Sequence, residues 1–279
     1  MLHVISKKLV CTLPVAMLML GMTAAKADIV STIQAAKSGT TVTCSGTYTN
    51  LGKCTVPSGV TVKGPATFIF KSSSTDGFYI ASGTTGVTLQ SLTVTHANHG
   101  ILIYGNSNTI SSCVATGDNN DGIITENTAA NNKITGCASY NNCDIPNGGG
   151  NADGFGNKQN TGTGNTWTNC TCYNNSDDGF DFERSSGAAT LTGCVSYSNG
   201  DCNGVIGNGN GFKMGYSGYK AANVYVSCVA HHSTNGDSPH GFSQNNGTGA
   251  CKLTTCHSYS NTSKDVLNNC TLTNCTMET

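Results

Sequence analysis

Asn151-Ala-Asp-Gly-Phe155, Ser176-Asp-Asp-Gly-Phe-Asp181 and Gly209-Asn-Gly-Phe-Lys213 are three versions of one short phrase. In a chain with only 10% charged residues they gather four carboxylates and a lysine. Superposed on Gly154, Gly179 and Gly211, they place Asp153, Asp178 and Asn210 in one column and Gly156, Asp181 and Lys213 in another. If the phrases are successive rungs of a coil, each column becomes a row of neighbouring side chains.

Working outward, the Gly-apolar phrase recurs at Gly77, Gly100, Gly122, Gly154, Gly179, Gly211 and Gly241. A second phrase, apolar-x-x-Cys, recurs at Cys113, Cys137, Cys170, Cys194, Cys228 and Cys256, with Leu92 as its first, non-Cys member. Successive members lie 21 to 34 residues apart, and the segments between are short Val/Thr/Ile/Phe runs split by Asn and Gly. That period with little helical pattern marks a solenoid. The Leu-x-x-Leu-x-Leu frame is absent, and propeller blades need about 40 residues each. The expected fold is all-β: a single-stranded, right-handed parallel β-helix. The helical pattern at residues 30–37 predicts a short N-terminal capping helix over its first coil.

The two phrases fix which side chains face inward. Strand residues alternate between faces, so the column cysteine shares a face with the small residue two places on: Ala115, Ser139, Cys172, Ser196, Ala230 and Ser258. The cysteines are read as an inward stack of small hydrophobes. Two disulfides are expected outside it, Cys44–Cys54 and Cys143–Cys202. Asn141, Asn174 and Asn199 sit at strand ends, suited to turns and to hydrogen-bonded stacking. The residue after each phrase glycine is apolar and faces the core, so the next faces solvent. Gly156 in that outward column leaves room for a ligand, with Asp181 and Lys213 about 4.8 Å apart between strands.

Residues 1–27 read as a secretory signal: Lys7 and Lys8, an apolar run from Leu9 to Met22, then Ala25-Lys26-Ala27 before Asp28. Residues 28–279 are then expected to form one β-helix catalytic domain, secreted and monomeric. Net charge is −1 and basic clusters are missing, so neither nucleic acid nor membrane is an expected partner.

Asp153, Asp177, Asp178 and Asp181 converging on one patch repel unless a cation neutralises them, and hard oxygen ligands at flexible spacing suit Ca²⁺. Against this, Asp-Gly is an ordinary turn dipeptide, and Asp76-Gly77 and Asp121-Gly122 make it with no site attached. Lys213 reads either as a base whose proton affinity a nearby dication lowers or as a salt-bridge partner of Asp181. Lys158, Glu183 and Arg184 stand near the rim and either bind polymer carboxylates or are solvated surface.

The three phrases, in that order on a secreted β-helix, resemble polysaccharide lyase family 9, the pectate lyases and exopolygalacturonate lyases. The resemblance is carried by residues 130–260. It implies that Asp153, Asp177, Asp178 and Asp181 hold calcium, that Lys213 is the general base, and that the substrate is polygalacturonate or a related uronate polysaccharide cleaved by β-elimination. Two other classes stay open. A glycoside hydrolase on the same fold is suggested by the paired acids and His240-Gly241, although the polygalacturonase Arg-Ile-Lys phrase is missing. A non-catalytic glycan-binding β-helix is the other.

Overall fold

The computed structural model describes residues 28–278, so the expected leader over 1–27 lies outside the described residues. The chain winds into a parallel β-helix. In each central coil it visits three short strands, as in Thr166–Thr168, Thr171–Tyr173 and Phe180–Asp181. The first two belong to a continuous sheet of 17 strands and the third to a sheet of eight. Every pairing between coils is parallel; the antiparallel pair among the described residues is the hairpin Asp201–Cys202 with Val205–Ile206. One α-helix, Ile29–Gln34, is capped by the Asp28 carboxylate and buries Ile29, Val30 and Ile33. It supplies the expected N-terminal cover. No helix among the described residues is long and apolar enough to cross a membrane.

The register is the one the glycine overlay demands. Phe155 pairs with Phe180, Phe180 with Phe212, and Phe212 with Phe242. Strict register stacks their rings, at centroid spacings of 4.9, 4.9 and 4.6 Å. The phrase glycines are required by close approach. A Cβ at Gly154, Gly179 or Gly211 would lie 2.7 Å from the carbonyl oxygen of the corresponding glycine on the following rung.

The cysteine column points inward as expected, with Cys113, Cys137, Cys170, Cys194, Cys228 and Cys256 all buried in the core. Five of these thiols, those of Cys113, Cys137, Cys170, Cys194 and Cys256, donate to backbone carbonyls of the preceding coil, as Cys170 Sγ does to Ile134 O at 3.6 Å. All fourteen cysteines of the described residues are free thiols. The expected Cys44–Cys54 and Cys143–Cys202 bonds are therefore not present.

Two further expectations are corrected. The asparagine stack runs through Asn142, Asn175 and Asn199, with Nδ2 of each of the first two donating to the next Oδ1 at 2.9 Å. Asn141 and Asn174, one residue earlier, instead turn the corner at φ of 56° and 53°, a conformation asparagine tolerates better than most residues. Gly156 does not leave ligand space, because a Cβ there would lie 2.7 Å from Ile124 Cγ1. Its smallness serves packing on the outer face.

Candidate active site

Lys213 and Asp181 face each other on adjacent strands, paired in register as Asp181↔Lys213. Their column was expected in solvent. It is outside the hydrophobic core, yet covered: Asp181 is 2% and Lys213 5% exposed. The column lies at the floor of a cleft of about 270 Å³ that also reaches His99, Asp121, Lys158, Glu183 and Arg184.

Each aspartate of the patch has one oxygen fixed by a backbone amide. Asp153 Oδ1 accepts from Asp178 N at 2.7 Å, and Asp178 Oδ1 from Asn210 N at 2.7 Å. Asp181 Oδ1 accepts from Glu183 N at 2.8 Å, and Asp177 Oδ1 from Asn208 N at 2.6 Å. In the first three the second oxygen is turned into a shared space. Oxygens of Asp153, Asp178 and Asp181 all lie within 4.8 Å of one another. Asp177 is buried beside this trio, outside the set whose oxygens converge.

Two ammoniums meet these carboxylates. Lys213 Nζ lies 3.3 Å from Asp178 Oδ2, 3.2 Å from Asp181 Oδ2 and 3.2 Å from Glu183 Oε2. Lys158 Nζ contacts Asp153 Oδ2, and lies 3.0 Å from Asp121 Oδ1 and 3.5 Å from Asp181 Oδ2. Lys158 is thus turned inward as a counter-ion, with 13% of its side chain exposed. Asp121, read from sequence as a turn residue without a site, belongs to the cluster through that contact. Beyond it, His99 Nε2 lies 3.9 Å from Asp121 Oδ2, while His99 Nδ1 meets Asp76 Oδ1 at 3.0 Å. The signal that could have found Asp121 and His99 is their place in the column before each glycine, which reads Asp76, His99, Asp121, Asp153, Asp178, Asn210, His240.

The charges are unbalanced. Asp121, Asp153, Asp178, Asp181 and Glu183 share two lysines, with Arg184 Nε 3.2 Å from Glu183 Oε1 at the rim. Burial pushes Asp153 and Asp178 above the usual carboxylate range. Burial and the Asp178 charge push Asp177 up to about 8. Asp181 is also buried, but Lys213 and Lys158 outweigh that and hold it below its ordinary value. Burial favours the neutral amine of Lys213, yet Asp181 and Asp178 outweigh it and keep the ammonium well above the usual lysine range.

The donor set fits a hard dication. Asp178 Oδ2 is buried without a hydrogen bond, its Lys213 contact being ionic only, and Asn210 Oδ1 beside it is also unpartnered. A buried carboxylate oxygen and a nearby amide oxygen that both lack donors are hard ligands of the kind such a cation takes.

Arg184 differs from the other rim residues in exposure, at 41% of its side chain. Its guanidinium lies 4.9 Å above the Tyr216 ring. Glu183 links it to the floor, one carboxylate oxygen on Arg184 and the other on Lys213.

The family model of the Pel9A-like right-handed β-helix region matches residues 21–274. Pectate lyase L of Dickeya dadantii (strain 3937) is 30% identical over 173 residues, 60% of this chain and 40% of that protein. Pectate lyase L of Dickeya chrysanthemi matches with the same identity and coverage. The chain spans about two fifths of the length of these curated relatives. The crystal structure of pectate lyase Pel9A is similar with a TM-score of 0.74 at 26% identity, covering 87% of this chain and 67% of that one. A rhamnogalacturonan lyase shares the fold with a TM-score of 0.68 at 22% identity, over 82% of this chain and 68% of that one.

Proposed function

Because this chain belongs to the Pel9A-like right-handed β-helix family, we propose that it is a secreted, calcium-dependent polysaccharide lyase that cleaves polygalacturonate or a related uronate polymer by β-elimination. The observation that carries this reading is the placement of Lys213 Nζ between Oδ2 of Asp178 and Oδ2 of Asp181, at 3.3 and 3.2 Å, on the cleft floor. A base for carbon acids needs a proton acceptor held against the substrate and an electrophilic group beside it.

In this reading Asp153, Asp178 and Asp181 hold the ion, with Asp177 beside them. Held there, Ca²⁺ would supply positive charge to offset the negative charge that develops on the substrate when the C5 proton leaves. Lys213 takes the C5 proton, and the electron pair released forms the C4–C5 double bond as the C4–O bond breaks. Its proton affinity is set by two opposed effects: burial favours the neutral amine and the carboxylates oppose it. The more of the carboxylate charge is neutralised, the more of Lys213 is free base. Lys158 keeps Asp153 and Asp181 from repelling each other, and Arg184 offers its guanidinium to a polymer carboxylate at the rim.

The decisive assay follows ultraviolet absorbance of unsaturated product from polygalacturonate at alkaline pH. Absorbance that grows with calcium and stops on chelation is expected. Reducing-sugar release without that absorbance would identify a hydrolase and overturn the proposal.

A further inference from the structure

Cys143 and Cys202 are the two cysteines among the described residues that the hydrophobic core and its packed rim do not include. Both stand on excursions from the coil. Residues 141–152 leave it after Ala138–Tyr140 and carry the short 3-10 turn Ile145–Asn147. Residues 200–209 leave it two rungs later, after Val195–Tyr197, and carry the hairpin. The excursions meet over the corner of the rung between them, the corner that holds Ser176, Asp177 and Asp178. Ser176 Oγ donates to Gly149 O at 2.9 Å from one side, and Gly207 N donates to Ser176 O at 2.7 Å from the other. The two backbones also touch directly, since a Cβ at Gly149 would lie 2.7 Å from the Ile206 carbonyl carbon.

We infer that Cys143 and Cys202 are a modification site, oxidised to a disulfide by a small or protein disulfide donor, and that the bond closes an arch over the Ser176–Asp178 corner. Cys143 Sγ already lies 3.2 Å from Cys202 O. Cys143 is half-exposed and Cys202 buried. Burial raises the Cys202 thiol to about 12, with the Cys143 contact adding to it. Cys143 is therefore the attacking group. Its thiolate displaces one thiol from the donor disulfide to form a mixed disulfide. Cys202 then loses its proton and displaces the second donor thiol. The balance is two protein thiols and one donor disulfide giving one protein disulfide and two donor thiols.

The column cysteines differ in what a bond would add. Successive column cysteines are 24 to 34 residues apart, so a bond between neighbours there closes a shorter loop. Cys143 and Cys202 are 59 residues apart in sequence, and closing a loop of that length restricts the unfolded chain strongly.

The test treats the full-length protein with oxidised glutathione, alkylates the remaining thiols, and maps tryptic peptides without reduction. Peptides 134–158 and 185–213 each hold one column cysteine and one excursion cysteine. They are expected to be linked in the wild type and unlinked in Cys143→Ser and in Cys202→Ser. The linked protein should melt roughly 5 °C or more above its reduced form, and the shift should vanish in both variants. Alkylation of Cys143 and Cys202 after oxidation, or a link that persists in Cys143→Ser, overturns the inference. Because the arch spans Asp177 and Asp178, and here resting on the calcium reading, calorimetric titration with Ca²⁺ should show several-fold tighter binding to the linked form. Absence of calcium binding in both forms would refute the calcium reading while leaving the cross-link standing.

Discussion

Lys213 Nζ sits 3.2 Å from Oδ2 of Asp181, its in-register partner on the preceding rung, and 3.3 Å from Oδ2 of Asp178. A lysine in that place is either a structural counter-ion or a base, and the two roles separate on substitution. Lys213→Ala is expected to lower kcat by about 10²–10⁴, the range for losing a general base, with circular dichroism unchanged. Lys213→Arg retains the positive charge but cannot deprotonate in the working range, so it should be as inactive as Lys213→Ala. Near-normal turnover by the arginine variant would assign Lys213 to charge balance alone.

Calcium should stabilise the fold by binding to the native state only. At a concentration about 100 times Kd the gain is about 2.7 kcal/mol, visible as a rise in Tm of several degrees. Asp178→Asn removes a charge whose Oδ2 is buried without a hydrogen bond and should abolish most of that rise. The same variant should be no less stable than wild type in chelator, since one member of a mutually repelling group is gone. A calcium shift that survives in Asp178→Asn places the ion elsewhere.

The register was legible because it follows from backbone crowding. The phrase glycines repeat where a Cβ would meet the carbonyl of the following rung, so aligning glycines aligns coils. The facing of Asp181 and Lys213 followed from that alignment and strand alternation, whereas the neighbouring column of Asp153 and Asp178 came from the alignment alone. The inward turn of Lys158 onto Asp121 was not legible because it depends on the path of a long side chain across rungs, which no column records: Lys158 Nζ reaches Asp121 over 37 residues of sequence. Asp177 is adjacent to Asp178 in sequence, yet its Oδ1 is held by Asn208 N on the hairpin side. Neighbouring residues there point in different directions, and composition cannot separate them.

Asp118 occupies the end of the asparagine ladder. Its backbone amide donates to Asn142 Oδ1 at 3.1 Å and its Oδ1 accepts from Ala97 N at 2.9 Å, but Oδ2 is buried without a partner. Burial therefore raises its pKa well above the carboxylate range. Such an acid binds more protons folded than unfolded above its unfolded pKa of about 3.9, so stability falls as pH rises from there towards the folded value. Asp118→Asn supplies an Nδ2 donor and cannot ionise. It should raise Tm by a few degrees at pH 7, corresponding to about 1–3 kcal/mol for relieving an unsatisfied buried group. The advantage should shrink below about pH 4. A variant that is no more stable, or whose gain is the same at both pH values, contradicts this reading.

Gly179 lies under the site, between Asp178 and Phe180. A Cβ there would lie 2.0 Å from Ser196 Oγ, 2.7 Å from Gly211 O and 2.8 Å from Asn199 Nδ2. Gly179→Ala should destabilise by about 1–3 kcal/mol or more through overpacking. Gly52→Ala, where a Cβ meets nothing within 4 Å, serves as the control. Denaturant midpoints for the two variants check the difference, and equal midpoints would remove the close-approach explanation of the motif.

Arg184 takes φ of 53° at a corner where Asn127 and Gln159 sit on preceding rungs at 55°. A left-handed conformation is uncommon for arginine, so local backbone preference does not account for the residue. Tyr216 covers one face of the guanidinium and Glu183 engages Nε, an arrangement that fixes the plane of the fork. Planar, two-point recognition of a carboxylate is what arginine does and lysine does not. Arg184→Lys should therefore lower kcat/KM on unesterified polygalacturonate by about tenfold, the equivalent of about 1.4 kcal/mol, mostly through KM. On highly methyl-esterified pectin, where that carboxylate is masked, the loss should be smaller. Tyr216→Leu should produce a weaker version of the same pattern, because the charge stays while its orientation loosens. Equal losses on both polymers would make Arg184 a support of the rim without a part in choosing the substrate.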